Sequence, residues 1–527
     1  MLDIVIRNGL VVDGTGTRPP YKADVGIKEG EILTVGDLEE EIAGVDIDAK
    51  GKMVAPGFVD INNHSDTHCT LFRYPMQESL ITQGVTTIIG GNCGSSLAPI
   101  LGEGSIKSLQ KWVSLKNVQI DWDRVKEFLE YLEDNTSFKL NFGTLVGHAT
   151  IRRGILDEKQ RSLKEKELEL LLQEVSRGMS EGAFGVSAGF AYSHARGSAK
   201  KEVEALGEAV SISGGLLAVH LRNEGEKLIS SIKEVVDVAK KTGVNLQISH
   251  LKALGKGSWH FFERALDMID KACDEGANIN FDVYPYAFSG PVLYTLLPDW
   301  LTEGGKQDLL AKLKNKRFKR KAVIEMEKGS LNYGKIIIAS CPFSKFIVKR
   351  KIEEIAKSRG ISPSETVLDL IIASEDQATV FAKLLSERNV RKAIEDNHSI
   401  ISSNGEGYGL QEIESGNLVH PRSFGAFSRM LGHYTREKKL MSIEKAVYKM
   451  SGLPARKLGI SLRGEIKEGY KADVQVFDYD EIEDKSTQNH PYKFSKGVEY
   501  VIVNGKVSVA EGKIAEGVRS GEILRKN

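Results

Sequence analysis

Residues 216–255, LLAVHLRNEGEKLISSIKEVVDVAKKTGVNLQISHLKALG, have the pattern that predicts one complete strand–helix–strand unit. Two short apolar runs end in His220 and His250, and an amphipathic stretch that stops at a glycine lies between them, as is typical of a helix. The two histidines are 30 residues apart, a suitable length for one strand-plus-helix repeat. We therefore expect them at equal height on neighbouring parallel strands.

The same alternation extends through residues 53–463. It predicts an α/β protein with a parallel (β/α)8 barrel of the TIM type, because near-continuous apolar strands suit a sheet that helices cover on the outside. The long segment 287–398, between the seventh and eighth strands, is predicted to be an inserted subdomain. The predicted barrel strands are 53–63, 85–94, 140–148, 183–189, 216–222, 245–252, 278–286 and 399–405.

The two ends of the chain have a different pattern. Residues 1–52 and 464–527 contain short strands rich in Val and Ile, separated by Asn-Gly, Asp-Gly and Glu-Gly turns. Neither end has enough strands for a stable core of its own. We predict that both ends together form one small β-sandwich domain.

The composition restricts the class of protein. The 527 residues include 72 Lys and Arg and 72 Asp and Glu, and this balance gives no support for a nucleic-acid or membrane-surface partner. No apolar run approaches the roughly 20 residues that a membrane span needs, and the amino terminus lacks a signal-peptide pattern. With four cysteines and no CxxC pair, we expect a cytoplasmic protein with reduced thiols. Barrels of this kind often assemble, so an oligomer is compatible with the sequence.

Metal-binding side chains follow three of the predicted strands. Cys93 ends the second strand, His220 the fifth and His250 the sixth, and reactive groups of such barrels lie at the carboxyl ends of strands. One thiolate and two imidazoles form a zinc ligand set that leaves a fourth position open, as in catalytic sites. A single Cys or His at a strand end is more often a packed core residue. The spacing alone leaves both interpretations open.

Six motifs lie along the chain: VAPGFVDINNHSD, GVTTIIGGNCGSS, AVHLRNEG, ISHLKALG, HPRSFGAFSRMLGHYTRE and GEIKEGYKADVQVFD. Taken together, they resemble the N-acyl-D-amino-acid deacylases of the amidohydrolase superfamily, over essentially the whole chain. This resemblance implies a zinc-dependent (β/α)8 barrel that hydrolyses the amide of a small-molecule substrate, an N-acyl-D-amino acid, to a carboxylate and a D-amino acid. Superfamily relatives also cleave cyclic amides such as hydantoins, which is an alternative substrate class.

The resemblance also implies roles for individual residues. Its metal ligands correspond to Cys93, His220 and His250. Lys252 corresponds to a lysine that holds the substrate carboxylate, and Tyr284 of YPY has a similar implied role. Arg422 of HPR is a further candidate for binding the carboxylate, which needs cations and hydrogen-bond donors beside the metal.

The chain departs from the family pattern at two positions. Asn62-x-His64 stands where the family has His-x-His, and Asn404 stands where it has the Asp that takes a proton from the attacking water. An amide cannot accept a proton near neutral pH, and loss of a general base costs about 10²–10⁴-fold in rate. We predict a single zinc position, with His64 as the remaining half of a second one.

Three hypotheses account for Asn404. It is an engineered change that traps substrate, although the accompanying Asn62 argues against this. Another group near the mouth acts as the base, with His64, Asp66 and Glu406 as candidates. Or the protein is a non-catalytic relative that binds N-acyl amino acids. We favour a metal-dependent hydrolase with altered acid–base groups.

Overall fold

The structure is a computed structural model that describes residues 1–109, 120–157, 159–302, 304–329 and 331–526. Its strands alternate with helices in the middle of the chain and follow one another at the two ends. In chain order they are β1 (Leu2–Arg7), β2 (Leu10–Val11), β3 (Tyr21–Lys22), β4 (Asp24–Lys28), β5 (Glu31–Gly36), β6 (Ala43–Asp48), β7 (Met53–Pro56), β8 (Phe58–Asp60), β9 (Val85–Gly90), β10 (Asn141–Thr144), β11 (Val146–Gly147), β12 (Gly185–Gly189), β13 (Leu216–His220), β14 (Asn245–Ile248), β15 (Ile279–Val283), β16 (Ile336–Ser340), β17 (Thr379–Ala382), β18 (Ser399–Ile401), β19 (Val474–Phe477), β20 (Val498–Val503), β21 (Lys506–Ala510) and β22 (Lys513–Ile514).

Within the described ranges, no helix combines the length and apolar character needed to cross a membrane. The α-helices are α1 (Thr70–Arg73), α2 (Glu78–Ile81), α3 (Glu103–Leu109), α4 (Val125–Asn135), α5 (His148–Leu156), α6 (Glu165–Ser180), α7 (Ser193–Arg196), α8 (Lys200–Ile212), α9 (Leu228–Thr242), α10 (Phe262–Asp274), α11 (Asp299–Thr302), α12 (Gly305–Lys314), α13 (Lys316–Lys328), α14 (Ile352–Arg359), α15 (Pro363–Ala373), α16 (Glu387–Glu395), α17 (Arg422–Arg429), α18 (Ile443–Met450) and α19 (Gly452–Leu458). The 3₁₀ helices are Lys256–Phe261, Leu293–Leu296, Tyr333–Lys335, Lys345–Ile347 and Leu410–Ser415, and Met430–Glu437 is a π-helix.

Parallel strands form a closed barrel in the middle of the described chain. Strands β8, β9 and β10 are neighbours in one sheet, and β11 to β15 followed by β18 form the next. Strands β10 and β11 are consecutive parts of one strand, interrupted at Leu145. A parallel bridge between Asn63 and Gly405 joins the first strand position to the eighth. The TIM-type barrel predicted from the sequence is therefore present, and its strand ends meet at one mouth.

The prediction of residues 53–63 as a single barrel strand is wrong. Strand β7 pairs with β19 and β2 in a separate sheet, whereas β8 pairs with β9 in the barrel. The division falls at Gly57, where a Cβ atom would lie 2.2 Å from the side chain of Thr86, so only glycine fits this close approach. The barrel therefore begins near Gly57 rather than at residue 53.

Strands from both ends of the chain form two sheets that share one core. The sheet order is β5-β4-β1-β6 in one and β22-β21-β20-β19-β7-β2-β3 in the other. Branched aliphatic side chains from both sheets fill the core, including Ile4, Ile27, Val54, Val474 and Ile502. Strand β19 pairs directly with β7, so the second sheet needs both ends of the chain.

The carboxy-terminal tail lies outside the sandwich to which residues 464–527 were predicted to belong. The N–H of Phe142 donates to the carbonyl of Glu522 at 2.9 Å, and the N–H of Leu524 donates to the carbonyl of Phe142 at 2.7 Å. The last residues therefore run beside β10 of the barrel, whereas the sequence assigned all of 464–527 to the sandwich.

The segment between β15 and β18 has a hydrophobic core of its own. It contains α11 to α15 and the antiparallel pair β16–β17, and its core includes Leu301, Leu309, Ile338, Ile371 and Val380. Isolated bridges from Ser289 to Ala382 and from Val292 to Thr379 hold the start of the segment against β17. This arrangement places residues that follow β15 beside the barrel mouth.

Candidate metal centre and active-site cavity

Three residues singled out from the sequence follow barrel strands in the left-handed backbone conformation. The φ angles of Cys93, His250 and Asn404 are 54°, 39° and 45°. Non-glycine residues adopt such angles uncommonly, and they tend to cluster at functional sites where the surrounding structure enforces them. All three line the cavity at the barrel mouth.

The predicted metal ligands come together. One ligand atom from each of Cys93, His220 and His250 lies within 4.8 Å of the other two, and all three residues are buried. Sγ of Cys93 is 3.3 Å from Nε2 of His250. The rings of His220 and His250 meet edge to face, with their centroids 4.4 Å apart. Residues from three separate strand ends therefore form one compact donor set.

This donor set fits a zinc ion. Burial lowers the pKa of both imidazoles well below the usual range, so they are neutral and can act as ligands. Nδ1 of His220 is buried without a hydrogen-bond partner among the described residues. Burial also raises the pKa of the Cys93 thiol to about 12, and a cation beside it is what would stabilise the thiolate. A thiolate and two imidazoles leave the open position typical of catalytic zinc.

Glu224 faces both imidazoles, although the sequence analysis did not single it out. Its Oε2 lies 3.6 Å from Nε2 of His220, and its Oε1 lies 3.3 Å from Nδ1 of His250. Histidine ligands are commonly oriented by a carboxylate on the ring nitrogen that does not bind the metal. The only signal in the sequence was its position four residues after His220, in the quoted motif AVHLRNEG.

Lys252 contacts the same carboxylate. Its Nζ lies 2.6 Å from Oε1 of Glu224 and 2.7 Å from Nδ1 of His250. The lysine predicted to hold a substrate carboxylate therefore lines the cavity while it balances the charge of Glu224.

Arg422 and Tyr284 form a second polar group in the cavity wall. The guanidinium carbon of Arg422 lies 4.9 Å from the ring centroid of Tyr284, a cation–π contact. Nε of Arg422 is buried without a hydrogen-bond partner in the described part of the chain. Burial raises the pKa of Tyr284 to about 12, so its hydroxyl remains a hydrogen-bond donor. These two of the three predicted substrate-binding residues thus line the cavity and carry hydrogen-bond donors.

His64 lies beside the ligand cluster and is not a member of it. Its Nε2 is 3.9 Å from Sγ of Cys93 and 2.9 Å from Oδ1 of Asn404. An amide oxygen only accepts hydrogen bonds, so Nε2 donates in this contact. Burial lowers the pKa of His64 to about 4, which keeps the ring neutral.

Asn62 and Asp66 do not line the cavity. Nδ2 of Asn62 donates to Oδ2 of Asp282 at 3.0 Å, inside the barrel. The N–H of Gly91 donates to Oδ2 of Asp66 at 2.7 Å, so the side chain of Asp66 stabilises the backbone directly after β9. The structure therefore removes Asp66 from the candidates for the base.

Glu406 does line the cavity, and it is paired with His68, which the sequence analysis missed. Oε1 of Glu406 lies 3.1 Å from Nδ1 of His68. Burial alone would raise the pKa of Glu406, but His68 and Arg422 nearby hold it below its usual value, so the carboxyl is ionised. The second histidine of HSDTH was the available signal.

These groups surround one cavity of ≈ 450 Å³. The metal-binding cluster and Arg422 come from the barrel, and the opposite wall comes from the segment after β15, which supplies apolar and hydroxyl side chains. The residues of that wall include Val292, Tyr294, Leu296, Leu297 and Thr302. A volume of this order suits a small organic ligand.

Comparison with known proteins agrees with this geometry. A family model described as "Amidohydrolase family" matches residues 46–293 and 419–509, more than half of the chain. The chain belongs to the amidohydrolase family. This makes it a hydrolase of amide C–N bonds. The unmatched segment between the two matched parts contains most of the inserted residues together with Asn404 and Glu406.

Individual relatives within this family match over the full length. The chain is 30% identical to an N-acyl-D-glutamate deacylase of Alcaligenes xylosoxydans xylosoxydans, over 100% of this chain and 97% of the relative. It is 29% identical to a D-aminoacylase of the same organism, over 99% and 97%. A structure of N-acyl-D-glutamate deacylase from Bordetella bronchiseptica, complexed with zinc and a phosphonate inhibitor, covers 100% of both chains with a TM-score of 0.82 and 27% identity.

Proposed function

We propose that this amidohydrolase uses one zinc ion to cleave N-acyl-D-amino acids into a carboxylate and a D-amino acid. The observation that carries the proposal is the convergence of Cys93, His220 and His250 at the mouth of a barrel, within one cavity that also presents Arg422 and Tyr284. The names of the full-length relatives, which act on N-acyl-D-amino acids, support the substrate class.

The ligand residues favour zinc, and their number favours a single ion. Zinc held by Cys93, His220 and His250 would polarise the substrate carbonyl and lower the pKa of a water molecule toward about 7. A second position would need ligands near His64. Asn62 instead donates to Asp282, and Asn404 is bonded to His64. We infer one zinc per chain.

The other cavity residues suit the two ends of the proposed substrate. Arg422 and the hydroxyl of Tyr284 can bind the amino-acid carboxylate, because a guanidinium presents several donors in a planar fork. Lys252 adds positive charge while it holds Glu224 against the imidazoles. The apolar wall after β15 can accept the acyl group or the side chain of the amino acid.

We further propose a division into three parts that fits this site. A small β-sandwich comprises residues 1–56 with the strands β19 to β22, and the barrel follows from residue 57. The inserted subdomain 287–398 completes the cavity wall. Its separate hydrophobic core and the residues that it contributes to the cavity support this division.

The test combines metal analysis with a chiral substrate panel. The purified protein should contain about one zinc per chain and release amino acid from N-acetyl-D-amino acids but not from the L-enantiomers. Two cysteine variants form a matched pair. Cys93→Ala should lose zinc and turnover. Cys341→Ala, which replaces a buried cysteine of the inserted segment, should keep both. A melting-temperature rise with these ligands but no hydrolysis would support the non-catalytic alternative. Turnover of hydantoins alone would support the cyclic amidase.

A further inference from the structure

We propose that His68 and Glu406 act together as the general base and acid of this enzyme, in place of the carboxylate that Asn404 lacks. This inference rests on the proposed amide hydrolysis and adds a residue pair to it. His68 is the group that exchanges protons with water and substrate, and Glu406 positions it.

The pair has the geometry of a carboxylate–histidine dyad. Oε1 of Glu406 lies 3.1 Å from Nδ1 of His68, which leaves Nε2 of the ring as the basic nitrogen. The other carboxylate oxygen, Oε2, accepts from the hydroxyl of Ser423 at 3.1 Å and from that of Tyr408 at 3.4 Å. Both oxygens are thus engaged, and the ring orientation is fixed. A histidine oriented by a buried carboxylate is a common general base.

The pair lies close to the proposed zinc site. The ring centroid of His68 is 6.1 Å from that of His64, and Nε2 of His64 is 3.9 Å from Sγ of Cys93. Glu406 follows Asn404 by two residues, in the turn after β18. His68 and Glu406 both line the cavity, and the side chain of His68 is 27% exposed, so water and substrate can reach it.

The other carboxylates that line the cavity within the described ranges have different partners. Glu224 is held by Lys252 and faces the two ligand imidazoles. Asp299 lies on the inserted segment and contacts Arg196 at 3.4 Å. His64 donates from Nε2 to Asn404, so that nitrogen has no lone pair for a proton. His68 with Glu406 is the remaining pair.

A second metal site is a weaker explanation of the same residues. Among the described residues, the metal-binding side chains of Cys93, His220 and His250 converge as a group, and neither His68 nor Glu406 belongs to it. Oε1 of Glu406 and Nδ1 of His68 also contact each other directly, so these two atoms are not placed to share an ion between them.

In the proposed reaction, His68 carries one proton from the attacking water to the leaving amine. As water attacks the amide carbon, one water proton moves to Nε2 of His68, and the resulting imidazolium is stabilised by the carboxylate of Glu406. The imidazolium then gives this proton to the amide nitrogen as the C–N bond breaks, so the amine leaves as a neutral group. The carboxylic acid product loses its proton to solvent or to the amine, and His68 returns to its neutral form.

The experiment compares two His–Glu pairs in the full-length, zinc-loaded enzyme. His68→Gln and Glu406→Gln should each lower kcat on an N-acetyl-D-amino acid by about 10²-fold or more, with little change in KM and with unchanged zinc content. The double variant should be no slower than His68→Gln, because the residues act as a unit. The double variant His68→Gln with Asn404→Asp should have a kcat at least tenfold higher than that of His68→Gln alone.

His433 and Glu437 supply the matched control. They form a similar pair outside the cavity, with Nδ1 of His433 at 2.9 Å from the carboxylate and a side-chain exposure of 26%. His433→Gln and Glu437→Gln should leave kcat unchanged. If His68→Gln keeps the wild-type kcat, the dyad is wrong while the proposed hydrolysis stands. If His68→Gln instead loses zinc, the residue has a metal-binding role and the dyad is also wrong. Absence of turnover in the wild type overturns both proposals.

Discussion

The amide oxygen of Asn404 lies 2.9 Å from Nε2 of His64. A carboxylate at the same place would present a negative charge to His64, whereas the amide forms a neutral hydrogen bond. This hydrogen bond occupies side-chain atoms of His64 and Asn404, near which a second metal ion would have to bind.

Restoring both missing family residues should therefore restore a second metal position. We expect the double variant Asn62→His with Asn404→Asp to raise the zinc content from about one to about two per chain, because imidazole and carboxylate ligands then surround His64. Atomic absorption after dialysis against limiting zinc measures this. Each single variant serves as a control and should stay near one. A double variant that also stays near one would show that the side chain at position 62 keeps facing Asp282 instead of the cavity.

Loss of the carboxylate that orients the two imidazoles should weaken metal binding. In Glu224→Gln, neither His220 nor His250 keeps its anionic partner and Lys252 loses its ion pair, so we expect zinc affinity to fall about 10- to 100-fold. Competition with a chromophoric chelator measures the affinity. Glu234→Gln is the matched control, because Glu234 pairs with Arg222 away from the metal ligands. Equal affinities in the two variants would contradict the orienting role.

Arg422 should act through the substrate carboxylate. We expect Arg422→Met to raise KM about 10- to 100-fold for an N-acetyl-D-amino acid, because a hydrogen bond between charged groups contributes about 1.5–3 kcal/mol. The same variant should change KM little for the corresponding amino-acid amide, which lacks the carboxylate. Initial rates on the two substrates measure the difference. A similar increase for both would indicate a change in cavity shape instead.

Lys457 should make the free energy of unfolding increase as the pH is raised above neutral. Burial lowers the pKa of this lysine from 10.5 to about 7, and its Nζ donates to Oδ1 of Asn278 at 2.9 Å. Between these pKa values the unfolded chain binds a proton that the folded chain lacks, so folding becomes more favourable as pH rises. The contribution is at most about 1.4 kcal/mol per pH unit.

We therefore expect the stability difference between wild type and Lys457→Met to shift in favour of the wild type from pH 7 to pH 9. Urea unfolding at each pH measures this shift. Lys166→Met, at an exposed position of α6, should show no such dependence. A constant difference for Lys457→Met would mean that the buried amine stays charged in the folded protein.

The sequence predicted the elements that depend on local pattern. Apolar runs followed by helical stretches specify a parallel barrel, and Cys93, His220 and His250 each follow such a run, so their height at the mouth follows from strand periodicity. The same local pattern could not separate residues 53–63 into two strands. Both β7 and β8 are apolar, and only their hydrogen-bonding partners, which are distant in the chain, assign one to the sandwich and the other to the barrel.

The sequence by itself determined the barrel, and it predicted Cys93, His220 and His250 as metal ligands because strand ends of one barrel meet at one mouth. The tertiary structure alone decided where the surrounding polar groups point. Asn62 turns to Asp282 rather than to the cavity, and Glu406 meets a histidine from the opposite end of the barrel sequence, His68. Such pairs depend on side-chain direction and on ring closure between the first and last strands, and neither is encoded in the spacing of residues along the chain.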